Sequence, residues 1–258
     1  MSKNMISVLA NELFEAEQNR VQISPITVRE SITLDDAYAI QLENVRRVVG
    51  MGHAISGKKI GLTSEGIQKQ LGVNEPDYGH LFATMDCADG KVKTNELMQP
   101  KIEGELAFIL KADLNGGNVT VQDVRDATDY VQAAFEIVDS RIDNWRIRLE
   151  DTVADNASSG RYILGGKKLN IDEVDLPAIS MKLYKNGKPV AEGRGSAVLG
   201  DPCIAVAWLA NRLWGYGVTL KKGEVILSGA FSVAPEAKKG DTFEAEFSSF
   251  GEIKATFV

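Results

Sequence analysis

Histidine is scarce in this chain, with only His53 and His80 among 258 residues. A histidine-built metal site and a Ser-His-Asp triad therefore have little to be made from. Cysteine is as scarce: Cys87 and Cys203 stand in no zinc or redox spacing. No apolar run approaches the ~20 residues that a membrane-crossing helix needs. No run of Lys and Arg could follow a phosphate backbone, and the formal net charge is -7. Neither a membrane span nor a nucleic-acid partner is expected. A G-x-G-x-x-G after a strand and a P-loop are both missing, so no nucleotide cofactor is indicated. Repeats, low-complexity tracts and linkers are not evident either. The opening Met-Ser-Lys-Asn-Met runs into an amphipathic segment, not a uniformly apolar one. A secretory leader is not expected, and the expectation is a cytoplasmic protein with free thiols.

What is present is ordinary globular composition, 44% hydrophobic and 25% charged, enough to build a sizeable core. The stretch that organises the rest is Pro100-Lys101-Ile102-Glu103-Gly104-Glu105-Leu106-Ala107-Phe108-Ile109-Leu110. Ile102, Leu106, Phe108 and Leu110 recur with period two, which predicts a strand. Side chains on a strand alternate, so Glu103 and Glu105 share one face. Two carboxylates there repel unless something positive lies between them. A divalent cation such as Mg²⁺ or Mn²⁺ is the economical answer, since hard cations take oxygen ligands. A solvated Glu face on an edge strand is the plain alternative. A second short apolar run, Val131–Arg141, carries Glu136 at its centre. Glutamate is rarely buried without a partner, so Glu136 is a candidate third ligand. Asp139 and Arg141 close that run and are expected to pair locally as structural residues.

Along the chain, Ile6, Leu9, Leu13 and Ala16 predict a first helix over 5–18. Thr33-Leu34-Asp35-Asp36 reads as a capping box opening a second helix, which Gly50 closes. Gly57–Ser64 reads as a short strand running into a helix cap, with Ile67 and Leu71 on the inner face. Lys58 and Lys59 fall on opposite sides of that strand, so one of them should point inward. A lysine beside a metal–carboxylate cluster would bind an anionic substrate or move a proton, while a surface pair is the alternative. Glu75–His80 is read as a turn, with Asp77 either a turn former or an acid at a site rim. Thr120 caps a helix over 121–129. The pattern over 143–150 is ambiguous. Asp151–Gly160 reads as a loop that wraps a polar ligand. Asn186-Gly187 is a hairpin signal, and Asp201-Pro202 opens a helix. Strands follow over 224–228, 242–247 and 252–258. Ser228-Gly229 ends the first of these and can place a hydroxyl at a site. The sum is an α+β chain, a single domain over 1–258. A mainly helical region over 1–75 packs on a β-rich catalytic body over 76–258.

Lys59–Thr63, Pro76–Gly79, Pro100–Phe108, Glu136–Arg141, Asp151–Gly160 and Gly193–Ser196, taken in order, resemble the 2-keto-4-pentenoate hydratase and 4-oxalocrotonate decarboxylase family. That family is related to fumarylacetoacetate hydrolase. The resemblance spans essentially the whole chain. It implies a mixed β-roll body, a homo-oligomer, and Mg²⁺ or Mn²⁺ held by Glu103, Glu105 and Glu136. It also implies Lys59 as the active-site lysine and Asp77 as an acid/base. Leu62, Asn156, Ser158, Ser228 and Gly229 are the implied substrate contacts. The implied activity is hydration of 2-hydroxypenta-2,4-dienoate to 4-hydroxy-2-oxopentanoate in meta-cleavage catabolism of aromatic compounds. Decarboxylation of 2-oxo-3-hexenedioate at the same site is the alternative. Gly160-Arg161-Tyr162 leans slightly to that branch, and hydratases of dioic acids are a third possibility. A complex with a paralogous decarboxylase or hydratase subunit, or with a downstream aldolase, is a further expectation. A C–C bond hydrolase would need a His-Glu pair, and neither histidine stands in such a pattern.

Overall fold

In the computed structural model, which describes every residue except Glu65, Ile67, Gln70 and Leu71, two helices lead the chain. They are α1 (Lys3–Asn19) and α2 (Leu34–Gly50). The start of α2 is the expected reciprocal cap. The Thr33 hydroxyl accepts the Asp36 N–H, and the Asp36 carboxylate accepts the Thr33 N–H at 2.9 Å. Such a cap contributes about 1 kcal/mol by satisfying N–H groups that have no helical partner.

The strands in chain order are β1 (Ile55–Gly61), β2 (Asp77–Phe82), β3 (Lys91–Val92), β4 (Lys101–Leu110), β5 (Thr128–Val138) and β6 (Ser159–Leu164). Then come β7 (Ser180–Lys185), β8 (Lys188–Arg194), β9 (Val225–Leu227), β10 (Thr242–Phe247) and β11 (Gly251–Phe257). Further α-helices among the described residues are α3 (Val121–Ala127), α4 (Leu149–Ala154) and α5 (Pro202–Trp214). One sheet has the order β2-β1-β9-β4-β5-β6 and the other β3-β11-β10-β7-β8. Strand β1, inside the stretch read as mainly helical, is thus an inner member of the larger sheet. Its parallel neighbour is β9, from the far end of the chain.

The larger sheet curls until its two edges meet. Asn156, just before β6, bonds both backbone groups of His80 on β2. The second sheet packs on the outer side of β4 at Gly104. A Cβ there would lie 2.3 Å from Met181 Sδ, so any larger residue would have to displace the Met181 side chain. The β7–β8 hairpin turns at Asn186-Gly187, both with positive φ (53° and 76°), as a primed turn requires.

Several local expectations are corrected. Asp77 does not lie in a turn: Pro76 is followed at once by β2, and Asp77 pairs with Gly61. The polar residues Asp77 and His80 masked the strand pattern, because here they are buried. The segment 151–160 is not a plain loop. The Asp151 carboxylate accepts the Arg148 N–H and the Thr27 N–H and hydroxyl, which anchors helix α4. Arg141 pairs with Asp155, not Asp139; the Asp139 carboxylate instead accepts the N–H groups of Met98 and Gln99. The inner-face reading of Ile67 and Leu71 lies outside the described residues.

Candidate active site

The antiparallel register of β4 and β5 sets Glu103 directly opposite Glu136. Alternation along β4 adds Glu105 to the same face, where Ala134 is its partner. The three side chains each bring a carboxylate oxygen within 4.8 Å of the others. Glu105 and Glu136 are fully buried. Glu105 Oε2 accepts the Gly229 N–H at 2.9 Å. Its other oxygen and both oxygens of Glu136 accept no hydrogen bond. Burial and then the neighbouring carboxylates push Glu103 up to about 7 and Glu105 well above its ordinary range. Burial likewise pushes Glu136 up. An all-oxygen donor set with orphaned buried acceptors fits a hard divalent cation, and these residues are the ones that could hold it.

Strand β1 brings the lysine. Both lysines of that strand are buried, Lys58 at 2% and Lys59 at 3% exposure, so the expectation of a single inward lysine was too narrow. They serve different faces. Lys58 Nζ pairs with Glu224 at 2.6 Å. Lys59 Nζ donates to the Ala157 carbonyl at 2.9 Å and lies 3.2 Å from Glu136 Oε1, an ion pair without hydrogen-bond alignment. Burial opposes the Lys59 charge. Glu136, Asp77, Glu103 and Glu105 outweigh it and hold the pKa above the ordinary lysine value. The neighbouring carboxylates thus oppose the loss of charge that burial alone would favour.

Asp77 reaches the same face because Gly61 and Asp77 are partners across β1 and β2. Its Oδ1 is buried without a hydrogen bond, and burial pushes its carboxyl up, with Lys59 opposing. A Cβ on Gly61 would lie 2.3 Å from Asp77 Oδ1 and 3.3 Å from Lys59 Nζ. Gly61 thus keeps open the gap between the two groups, a role that nothing in the sequence announced.

The other sequence-derived candidates separate. Ser228 is fully buried and its hydroxyl has no partner, as a ligand-facing hydroxyl would. Gly229 (φ 116°) packs so closely on Thr63 that a Cβ would lie 2.3 Å from the Thr63 hydroxyl. Leu62 holds left-handed backbone (φ 57°) directly after Gly61. Ser158 is buried with its hydroxyl 3.2 Å from that of Thr152. The Asn156 carboxamide has both ends on the His80 backbone, at 2.8 and 2.9 Å. His80 pairs in register with Lys58 and so faces away from Lys59. Burial and then Lys58 pull it down to about 3, leaving a neutral ring 3.2 Å from Gln41. No His-Glu pair forms at the three glutamates among the described residues. A cleft of about 300 Å³ beside α1 and α2, lined in part by His53, Phe82, Arg141 and Arg161, contains none of Glu103, Glu105 and Glu136.

The profile of the fumarylacetoacetate (FAA) hydrolase C-terminal family matches residues 85–258. A 2-hydroxyhexa-2,4-dienoate hydratase of Comamonas testosteroni is 43% identical, with 99% of this chain and 98% of that one covered. A 2-keto-4-pentenoate hydratase of Paraburkholderia xenovorans (strain LB400) is 44% identical, over 96% of this chain and 93% of the relative. Among solved structures, 4-oxalocrotonate decarboxylase from Pseudomonas putida G7, complexed with magnesium and adipate, superposes with a TM-score of 0.97. It is 37% identical and covers 100% of this chain and 99% of its own.

Proposed function

The chain belongs to the fumarylacetoacetate hydrolase family, among its 2-keto-4-pentenoate hydratases, and on that premise we propose that it is a hydro-lyase. Its substrate in this reading is 2-hydroxypenta-2,4-dienoate and its product 4-hydroxy-2-oxopentanoate. The observation that carries the reading is the convergence of Glu103, Glu105 and Glu136, with three orphaned oxygens, beside the Lys59 ammonium. Glu103, Glu105 and Glu136 would hold Mg²⁺ or Mn²⁺, which when bound supplies a Lewis acid for the substrate's carboxylate and 2-oxygen.

The residues of this chain then divide the remaining work. Lys59 Nζ has N–H donors for the substrate's 2-oxygen as that oxygen becomes a carbonyl. The 2-hydroxyl loses a proton and C5 gains one, giving an α,β-unsaturated ketone. Water then bonds through oxygen to C4 while C3 takes a proton, so the net change is the addition of water. In this reading Asp77 and Lys59 are the proton-shuttle candidates; the unpartnered Oδ1 of Asp77 and its carboxyl raised by burial support its part. Ser228, Leu62 and Gly229 border the substrate in this reading. The reading includes a homo-oligomer. The unpaired thiols of Cys87 and Cys203 fit a reducing, cytoplasmic setting.

Product analysis tests the proposal. Purified protein with Mg²⁺ or Mn²⁺ receives 2-hydroxypenta-2,4-dienoate and, separately, 2-oxo-3-hexenedioate. The expected result is metal-dependent 4-hydroxy-2-oxopentanoate without CO₂. Release of CO₂ from the diacid would move the chain to the decarboxylase branch. No turnover of either substrate would overturn both assignments.

A further inference from the structure

Three consecutive non-glycine residues, Asn156, Ala157 and Ser158, hold left-handed backbone, with φ of 52°, 50° and 54°. Single residues visit this region; a run of three needs restraint from outside. The carbonyl of the middle residue, Ala157, is the one that accepts from Lys59 Nζ. The Asp139 N–H bonds the Ser158 carbonyl at 2.8 Å and the Asn156 carboxamide is pinned to His80, and Arg141 adds to this restraint by bracketing the run. Its Nη2 donates to the Asp155 carbonyl at 2.6 Å, just before the run. Its Nη1 donates to the Ser159 carbonyl at 2.9 Å, just after it. Its Nε donates to Asp155 Oδ1, and its backbone N–H to Asp155 Oδ2 at 2.9 Å. The Ser140 hydroxyl adds a bond to the same carboxylate at 3.3 Å. Arg141 and Asp155 are 4% and 3% exposed, so both charges are desolvated.

A buried pair of this kind contributes little net stability, because desolvation offsets most of the attraction. What it does supply is geometry: a planar fork set across both ends of one strained turn. No hydrogen bond or ion pair links Arg141 to Glu103, Glu105 or Glu136. We propose that the Arg141–Asp155 pair is a positioning device that acts through the Ala157 carbonyl to hold the Lys59 ammonium at the active site. The proposal rests on the reading of Lys59 as the donor to the substrate oxygen. Arg141 and Asp155 are then positioning residues, and their effect reaches the reaction only through Lys59.

A double-mutant cycle tests this with Arg141→Lys, Lys59→Met and the double variant, each loaded with Mg²⁺. Arg141→Lys keeps the charge and loses the fork. Its kcat should fall roughly tenfold or more, as expected for a misplaced catalytic group. KM and the Mg²⁺ dissociation constant, read by calorimetry, should stay close to those of the parent, because the glutamates stand on β4 and β5. In the Lys59→Met background the Arg141 change should add nothing, since its route to the reaction is already gone. A purely structural role would lower the melting temperature and leave kcat per folded site intact. Parental kcat in folded Arg141→Lys, beside a crippled Lys59→Met, would overturn the positioning role alone. Losses that multiply in the double variant would do the same. Parental kcat in Lys59→Met would overturn the reading of Lys59 and this proposal with it. Should Arg141→Lys fail to fold, Asp155→Asn keeps the size and the backbone acceptors but removes the charge that seats the Arg141 fork. The same kcat-only loss, silent without Lys59, is expected, and parental kcat would overturn the proposal.

Discussion

Glu103 and Glu136 occupy one rung of the β4–β5 ladder, directly opposite each other, so two carboxylates meet where a sheet normally avoids like charge. The arrangement is stable only if protons, Lys59 or a cation offset that charge.

This dictates how the metal-free protein responds to pH. Burial and then Glu136 push Glu103 up to about 7 from an ordinary 4.5. Between those values the folded chain holds a proton that the unfolded chain has released. Stability is therefore present at low pH and lost as pH rises through that window. Protein treated with chelator should melt at a lower temperature at pH 8 than at pH 5.5. Added Mg²⁺ should raise the melting temperature most at pH 8, where protons no longer compete for the carboxylates. Thermal melts in both buffers check this; a Mg²⁺ effect equal at the two pH values would contradict it.

Glu105→Gln keeps the shape and an acceptor for the Gly229 N–H, which the native side chain binds at 2.9 Å. It removes a charged ligand. Mg²⁺ affinity should drop by about 100-fold or more, and metal-dependent turnover with it, while circular dichroism stays native. Full activity in this variant would remove Glu105 from the site.

Gly61→Ala fills the gap between Asp77 and Lys59. The new methyl group would stand 2.3 Å from Asp77 Oδ1, so the carboxyl must move. A displacement of this order costs about 100-fold in rate when proton transfer depends on geometry. We expect a large loss of kcat with Mg²⁺ binding little changed, measured by steady-state kinetics and calorimetry. Unaltered kcat would argue that Asp77 has no part in the reaction.

Gly187→Ala is a control far from the site. Gly187 has φ 76° at the β7–β8 turn, where a side chain costs roughly 1–2 kcal/mol. In a chain of this size that corresponds to a melting temperature lower by about 2–8 °C. Activity per folded molecule should not change.

The legible parts of this protein were those set by neighbours in sequence. Alternation along Ile102–Leu110 put Glu103 and Glu105 on one face before any fold was known. Thr33 with Asp36, and Thr120, announced their helices because a cap is a contact over three residues. Asn186-Gly187 announced its hairpin because the turn itself demands positive φ at both positions. Strand β2 stayed hidden for the opposite reason. Its burial depends on Gln41 bonding the Tyr78 carbonyl and on the Asn156 carboxamide closing its edge, neither of which is local.

Glu136 shows where the boundary falls. A lone glutamate in an apolar run pointed to a partner, yet only the register of β4 against β5 set it opposite Glu103. The same holds for Lys59 over Lys58, since the inward side of β1 is defined by what β2 and β9 place beside it. Arg141 has Asp139 two residues away and pairs instead with Asp155, fourteen residues on, because the chain returns there in its left-handed turn. The carbonyl of Ala157 has no side-chain signature at all; its role exists only because backbone direction, set by that turn, aims it at Lys59. By itself the sequence determined which residue types lie on which local face, since strand and helix periodicity act over a few residues. Which of those faces meet, and so which charges must be balanced, only the tertiary structure decided, because register and long-range closure are properties of the whole packed chain.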